Sequence, residues 1–143
     1  MTNLRKIVTR FGEVAYDPEQ TVHFPEGLIG LERLRDFIVM PNKKEGPLFW
    51  VQSVDDPQIA FVLTDPNNFF LDYQVEPDTN VRKLLGIEKN DACHALAIVT
   101  VPTDQKITFN LAAPILFAPK TNRAIQVILE NSPYQTKTPL PST

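Results

Sequence analysis

The chain predicts an all-β fold, an antiparallel sandwich or a small antiparallel barrel with a few short helices, and three observations carry that expectation. Thirteen prolines but only five glycines punctuate its 143 residues, at intervals that rarely leave room for a helix of more than a few turns. The segments between the prolines are rich in β-branched and aromatic residues. No strand–helix–strand alternation appears, so a parallel sheet with crossover helices is not expected.

The elements follow in chain order. "VTRFGEVAY" reads as two strands around a turn at Phe11 and Gly12. "GLIGLERLRDF" puts Leu28, Leu31 and Leu34 on one side at helical spacing, which predicts one or two helical turns. "LFWVQSV" from Leu48 and "IAFVL" from Ile59 are strands. In "DPNNFF", Asp65 is a helix N-cap and Pro66 the first helical residue. "PDTNVRKLLGI" gives a short helix from about Asp78 or Thr79, closed by Gly86. Further strands are "ALAIVTV" from Ala95, "ITFNL" from Ile107, "ILFA" from Ile115 and "IQVIL" from Ile125. Ile107, Phe109 and Leu111 alternate with Thr108 and Asn110, the period of a strand with one wet face. "IAFVL" and "ALAIV" are nearly continuous apolar runs, so those strands should be covered on both sides. After Tyr134 the pattern stops. The expected organisation is a single β domain over 1–134 and a loose tail over 135–143.

The N-terminal residues, interrupted by Arg5, Lys6 and Arg10, lack the apolar core of a secretory signal, and no run reaches the roughly 18 residues of a membrane span. A cytoplasmic location is therefore expected. The single cysteine, Cys93, agrees, since it can form no internal disulfide and reads as a buried, inert thiol. The net charge of −3 is unevenly spread. Between Gly46 and Val81 there is no Lys or Arg, whereas Asp55, Asp56, Asp65, Asp72, Glu76 and Asp78 carry −6, so the rest of the chain carries about +3. Direct nucleic-acid binding is disfavoured, because phosphate contact needs concentrated Lys and Arg. A basic protein suits the acidic stretch better.

Catalysis finds little support. Asp17, Asp56 and Asp65 each precede proline, where a short acceptor side chain turns or caps the backbone. A small hydrolase using Asp55, Asp56 or Asp72 is the alternative reading, and an RNA-binding barrel a weaker third. His23 and His94 belong to no metal-ligand spacing, and adjacent Cys93 and His94 would point to opposite faces of a strand. No nucleophile elbow or phosphate loop is present, and no metal or cofactor is expected. What remains is an aromatic cluster, Phe49, Trp50, Phe61, Phe69, Phe70 and Tyr73, not all of which can face inward. Core packing accounts for most of such residues, yet a site for an amphipathic helix needs a few exposed apolar anchors with a polar border.

The blocks "FPEGLIGLE" (24–32), "LFWVQSVDDPQIAFVLTDP" (48–66), "DY" (72–73), "IVTVP" (98–102), "ITFNLAAPIL" (107–116) and "QVILENSPY" (126–134), in this order and spacing, resemble the FliW family of flagellar assembly factors. The resemblance implies a small β-barrel-like fold, no catalytic activity and two alternative cytoplasmic partners. One is flagellin, bound through its terminal helical region before export. The other is the translational regulator CsrA, a small RNA-binding dimer that represses flagellin translation and is sequestered once flagellin leaves. The expected partner-binding residues are Asp55, Asp56, Phe69, Phe70, Asp72 and Tyr73, with Asn110 on the wet face of its strand. Some positions depart from the family pattern: a basic or amide residue is expected near Ala112, Asn near Ala118, Gly near Ala124, and an Arg-His pair where this chain has Lys137 and Thr138.

Overall fold

A hairpin opens the chain in the computed structural model, which describes residues 4–9, 12–40, 48–70, 72–100, 107–130 and 132–139. Its strands β1 (Arg5–Thr9) and β2 (Gly12–Tyr16) pair only with each other, from Arg5↔Tyr16 to Thr9↔Gly12. The two expected strands are present, whereas Phe11 of the expected turn lies outside the described residues.

Seven further strands form the body: β3 (Val22–His23), β4 (Asp36–Met40), β5 (Leu48–Ser53), β6 (Ala60–Thr64), β7 (His94–Thr100), β8 (Thr108–Ala118) and β9 (Arg123–Gln126). Each pairs antiparallel with the next, except that β9 also returns to β3 in parallel at His23↔Arg123. That last pairing closes the sheet into a seven-stranded barrel, which removes its free edges. The fold is the predicted small β-barrel, with one parallel seam the sequence reading did not anticipate.

The wall is apolar on both sides. Inward-facing Val22, Phe24, Phe37, Val51, Leu63, Ile115 and Ala124 pack inside the barrel with Leu28 and Leu34. Phe37 packs edge-on against Phe24 and Phe61, at ring distances of 5.0 and 5.4 Å. On the outside, Val62, Ala97, Val99, Phe109 and Leu111 form a second cluster, and Leu116, Ala118 and Ile125 a third. The third is covered by Leu85, the last residue of the only α-helix among the described residues, α1 (Thr79–Leu85), and by Ile87 just beyond it. Helix α1 starts and stops as its sequence predicts. Asp78 accepts the Val81 amide at 2.8 Å, and Gly86 ends the helix in the left-handed region at φ 71°. The buried faces of β6 and β7 belong to two different clusters, as their continuous apolar runs predict.

Three expectations need correction. Residues 27–37 form no helix, because Gly27 and Gly30 adopt φ of 67° and 85°. Successive turns replace it, with the Leu31 amide donating to the Leu28 carbonyl and Leu34 to Leu31. Leu28 and Leu34 are still buried in the barrel and Leu31 packs partly against it, so the three-residue spacing reported burial rather than helicity. "ITFNL" and "ILFA" are not two strands but the single β8, bent between them. The tail expected to be loose is held through Pro139, since Thr138 and Pro139 form strand β10 against Phe109 and Thr108. Backbone pairing needs no apolar pattern, and proline is tolerated at an edge.

A Cβ added at Gly27 would collide with the backbone of Glu32, while one at Gly30 would meet nothing. Both positions are strained for an L residue, so Gly30→Ala should cost about 1 kcal/mol and Gly27→Ala at least about 2 kcal/mol more. Urea denaturation measures the difference. Equal midpoints for the two variants would mean that the close approach at Gly27 is unimportant.

Candidate partner-binding surface

After β6 the chain crosses the outer wall of the barrel as a strap, residues 65–70 and 72–78. Asp65 accepts the Asn67 amide at 2.9 Å and starts a single 3-10 turn, Pro66–Asn68, which is shorter than the expected helix but has the predicted cap. The turn sets Phe69 and Phe70 down on the wall. Their rings lie 4.9 and 5.4 Å from that of Phe109, and both are half-buried. Tyr73 is 2% exposed; its hydroxyl donates to the Leu111 carbonyl at 2.7 Å and its ring packs edge-on against Tyr134 at 4.7 Å. Burial, with Tyr134 beside it, pushes the Tyr73 phenol well above the ordinary tyrosine range. Tyr73 is therefore a clamp between strap and barrel, and as an exposed anchor it is withdrawn. Phe69 and Phe70 serve mainly the same packing.

The carboxylates divide by task. Asp55 accepts the backbone amides of Arg35 and Asp36, at 2.9 and 3.1 Å, and so ties the β5–β6 turn to the start of β4. Asp56 accepts the Gln58 amide at 3.0 Å and meets Arg33 at 3.4 Å. Beneath this turn the fully buried Gln52 donates from Nε2 to the carbonyls of Ser53, Pro57 and Ile59. Asp55 and Asp56 thus hold the fold, as their turn-forming sequence suggests. They do not join the acids of the strap either, since β6 separates them by its length, about 16 Å for five residues.

The strap points its polar side chains outward. Asp65, Asp72, Glu76 and Asp78 are exposed together with Asn67, Asn68 and Gln74, and among the described residues the only cation paired with them is Arg82, 3.8 Å from Glu76. A shallow cleft of about 280 Å³ runs between the strap and the start of β7, lined by Asp65, Gln74, Glu76, Cys93 and His94. The Cys93 thiol is half-buried, and its pKa is raised chiefly by burial, with Arg82 opposing and Glu76 adding. It stays protonated, as expected of an inert cysteine. Among the described residues no group of three or more His, Cys, Asp or Glu is arranged to hold a metal ion.

Asn110 is half-buried and structural, its side-chain oxygen accepting the Ala113 amide at 3.0 Å. Large apolar side chains that remain exposed lie outside the aromatic cluster. Ile29 and Ile128 are 51% and 64% exposed. The Ile29 amide donates to the side chain of Gln126, two residues before Ile128, which brings both isoleucines to one region. Exposed Glu32 and Glu130 follow close behind them in the chain. Sequence gives little sign of this pair, because isolated isoleucines in "GLIG" and "QVILE" read as core.

Comparison with known proteins gives a consistent result. The family model described as FliW protein matches residues 6–140. A flagellar assembly factor FliW of Syntrophotalea carbinolica is 67% identical over 138 residues, covering 96% of this chain and 99% of the relative. Flagellar assembly factor FliW 2 of Desulfotalea psychrophila is 63% identical over 139 residues, covering 97% and 92%. A crystal structure of the flagellar assembly factor FliW superposes with a TM-score of 0.87 at 30% identity, covering 96% of this chain and 98% of that one.

Replacing Tyr73 by Phe strands the buried Leu111 carbonyl and should cost about 1–3 kcal/mol in thermal or denaturant unfolding. The variant also changes the pH dependence. With the folded pKa raised, the stabilisation is complete below the unfolded value near 10 and declines as pH rises beyond it. Stability of the Tyr73→Phe variant should fall less steeply above about pH 10. Parallel alkaline profiles for the two proteins would contradict the buried hydroxyl.

Proposed function

The chain belongs to the FliW family of flagellar assembly factors, and from that premise we propose that it acts by occupancy: it holds flagellin before export and, once released, holds the translational regulator CsrA. The observation that carries this reading is the match of the family model to residues 6–140, supported by relatives aligned over almost their whole length. The surface chemistry is compatible. CsrA binds RNA and so carries basic groups, which an acidic strap of Asp65, Asp72, Glu76 and Asp78 complements. A terminal helix of flagellin would find apolar anchors in Ile29 and Ile128.

Switching then needs only that occupancy by one partner disfavour the other. Free protein rises as flagellin is exported, CsrA is taken up by mass action, and flagellin translation resumes. Accumulating flagellin reverses the exchange. The exchange belongs in the cytoplasm, where both partners are made. The alternative, a hydrolase built on an acidic pair, lacks support: Asp55 and Asp56 are each engaged by backbone amides, and Asp72 lies beyond the far end of β6.

The strap and the turn make separable contributions. Asp72→Asn with Glu76→Gln should slow association with CsrA several-fold at low salt, flatten its salt dependence and leave the unfolding midpoint within about 0.5 kcal/mol. Asp55→Asn should instead lower stability by about 1–2 kcal/mol, because the amide oxygen that replaces the carboxylate is the weaker acceptor. An on-rate untouched by the strap variant would remove the strap from the CsrA surface. For the switch itself, CsrA should be displaced from the captured complex as flagellin is titrated in. A stable ternary complex at saturation would end the exclusive-binding scheme.

A further inference from the structure

The seven strands do not fill the barrel. A cavity of about 230 Å³ lies inside it, lined only by apolar residues, to which every strand contributes: Val22, Val39, Phe49, Leu63, Leu96, Phe117 and Ala124. One region of the interior is sealed, where Phe24, Phe37 and Leu34 are each at most 1% exposed. Another is open. Val39 shares the inward side of β4 with Phe37 and borders the cavity, yet is 50% exposed, and Phe49 and Phe117 are only half-buried. Next to this mouth a second cavity of about 580 Å³ lies against the β1–β2 hairpin, sharing Val22, Val39 and Phe117 with the first and adding Leu4, Val14 and Tyr16. The two together form a path from solvent to the barrel interior, with Asp17 and Gln20 on the outer cavity's wall.

We propose that the barrel interior is a binding site for a compact apolar molecule, separate from the surfaces assigned to protein partners. Volume and lining define its class. An apolar cavity of about 150 Å³ accepts benzene, so this one accommodates a substituted aromatic or branched aliphatic molecule of about nine heavy atoms. Each lining group gains dispersion contacts when the space is filled, and no buried polar atom in the lining demands a partner. A charged or strongly polar ligand is excluded from the interior for the same reason.

Toluene is the probe that tests this, titrated into the full chain with methyl-labelled Val, Leu and Ile followed by NMR, and with thermal unfolding in parallel. The expected result is a saturable shift of the methyls of Val39, Leu63, Leu96 and Ile115, together with a melting temperature that rises with toluene concentration. Ala124→Leu, which fills the cavity, should weaken binding at least ten-fold. Because a leucine at the buried Ala124 also strains the packed wall, Val39→Phe at the half-exposed mouth provides a second block with little risk to the core. Three results would each overturn the proposal: no saturable shift up to the solubility of toluene, shifts confined to the outer-cluster methyls of Val99 and Leu111, or undiminished binding by folded Val39→Phe protein.

Discussion

Strand β8 must satisfy two edges at once, and its bend is what makes that possible. Along one edge it pairs with β7 throughout, but between Leu96↔Ile115 and Ile98↔Asn110 the register shifts, two steps of β7 passing five of β8. Such an excess bends the bulged strand and increases its twist. The other edge is shared by successive segments: β10 and Gln135 along 108–111, Leu129 and Val127 at Ala112 and Pro114, and β9 along 115–118. Without the bend, β9 could not be carried round to β3, and the barrel would remain an open sheet with exposed edges. Pro114 lies within the bend, where β8 tolerates a residue without an amide donor.

Closure explains why the outer wall needs cover. In a barrel of short strands, alternate residues point inward and fill the lumen, so the apolar residues between them point to solvent unless something lies over them. Here Phe69, Phe70, Tyr73 and Val75 of the strap, together with Leu129, Tyr134 and helix α1, supply that cover. The strap has little secondary structure of its own. It is held by Phe69 and Phe70 against Phe109 and by the Tyr73 hydroxyl on the Leu111 carbonyl, at the start of the β8 bend. Strap and bend are thus one mechanical unit, and the acidic side chains that the strap displays inherit their positions from a barrel backbone group.

Local chemistry was legible in the sequence, and long-range pairing was not. Asp65, Asp78 and Gly86 act within a few residues of themselves, and each behaves as its neighbours predict. The double-sided apolar runs of β6 and β7 correctly foretold cover on both faces. By contrast, strands β3, β4 and β10 were not singled out; β3 and β10 are two residues each, defined by partners distant in sequence. Leucines at a spacing of three announced a buried face, but two glycines in the left-handed region decided against a helix. The aromatic cluster misled for a related reason. An aromatic in a strap is needed as much for holding the strap down as for meeting a partner, and composition does not separate the two uses. Ile29 and Ile128 show the converse, since only the fold reveals that they remain outside.

The acids raise a subtler point, because a carboxylate that caps a turn does not thereby lose its charge. Asp55, Asp56, Asp65 and Asp78 accept backbone amides, which are dipoles, and among the described residues only Asp56 of these four meets a cation, Arg33. Their field persists beyond the surface although their oxygens are occupied. At physiological ionic strength that field decays over about 8 Å, roughly half the length of β6. The turn acids and the strap acids consequently act as two distinct patches rather than one continuous stretch, despite adjoining in sequence. An approaching basic protein would be steered by the patch nearest to it and would find carboxylates for direct contact on the strap, at Asp72 and at Glu76, whose exposed side chain is held only by its long ion pair with Arg82. A single set of aspartates can therefore fix the backbone and guide encounter, whereas close contact is left to acids that the fold has not already engaged.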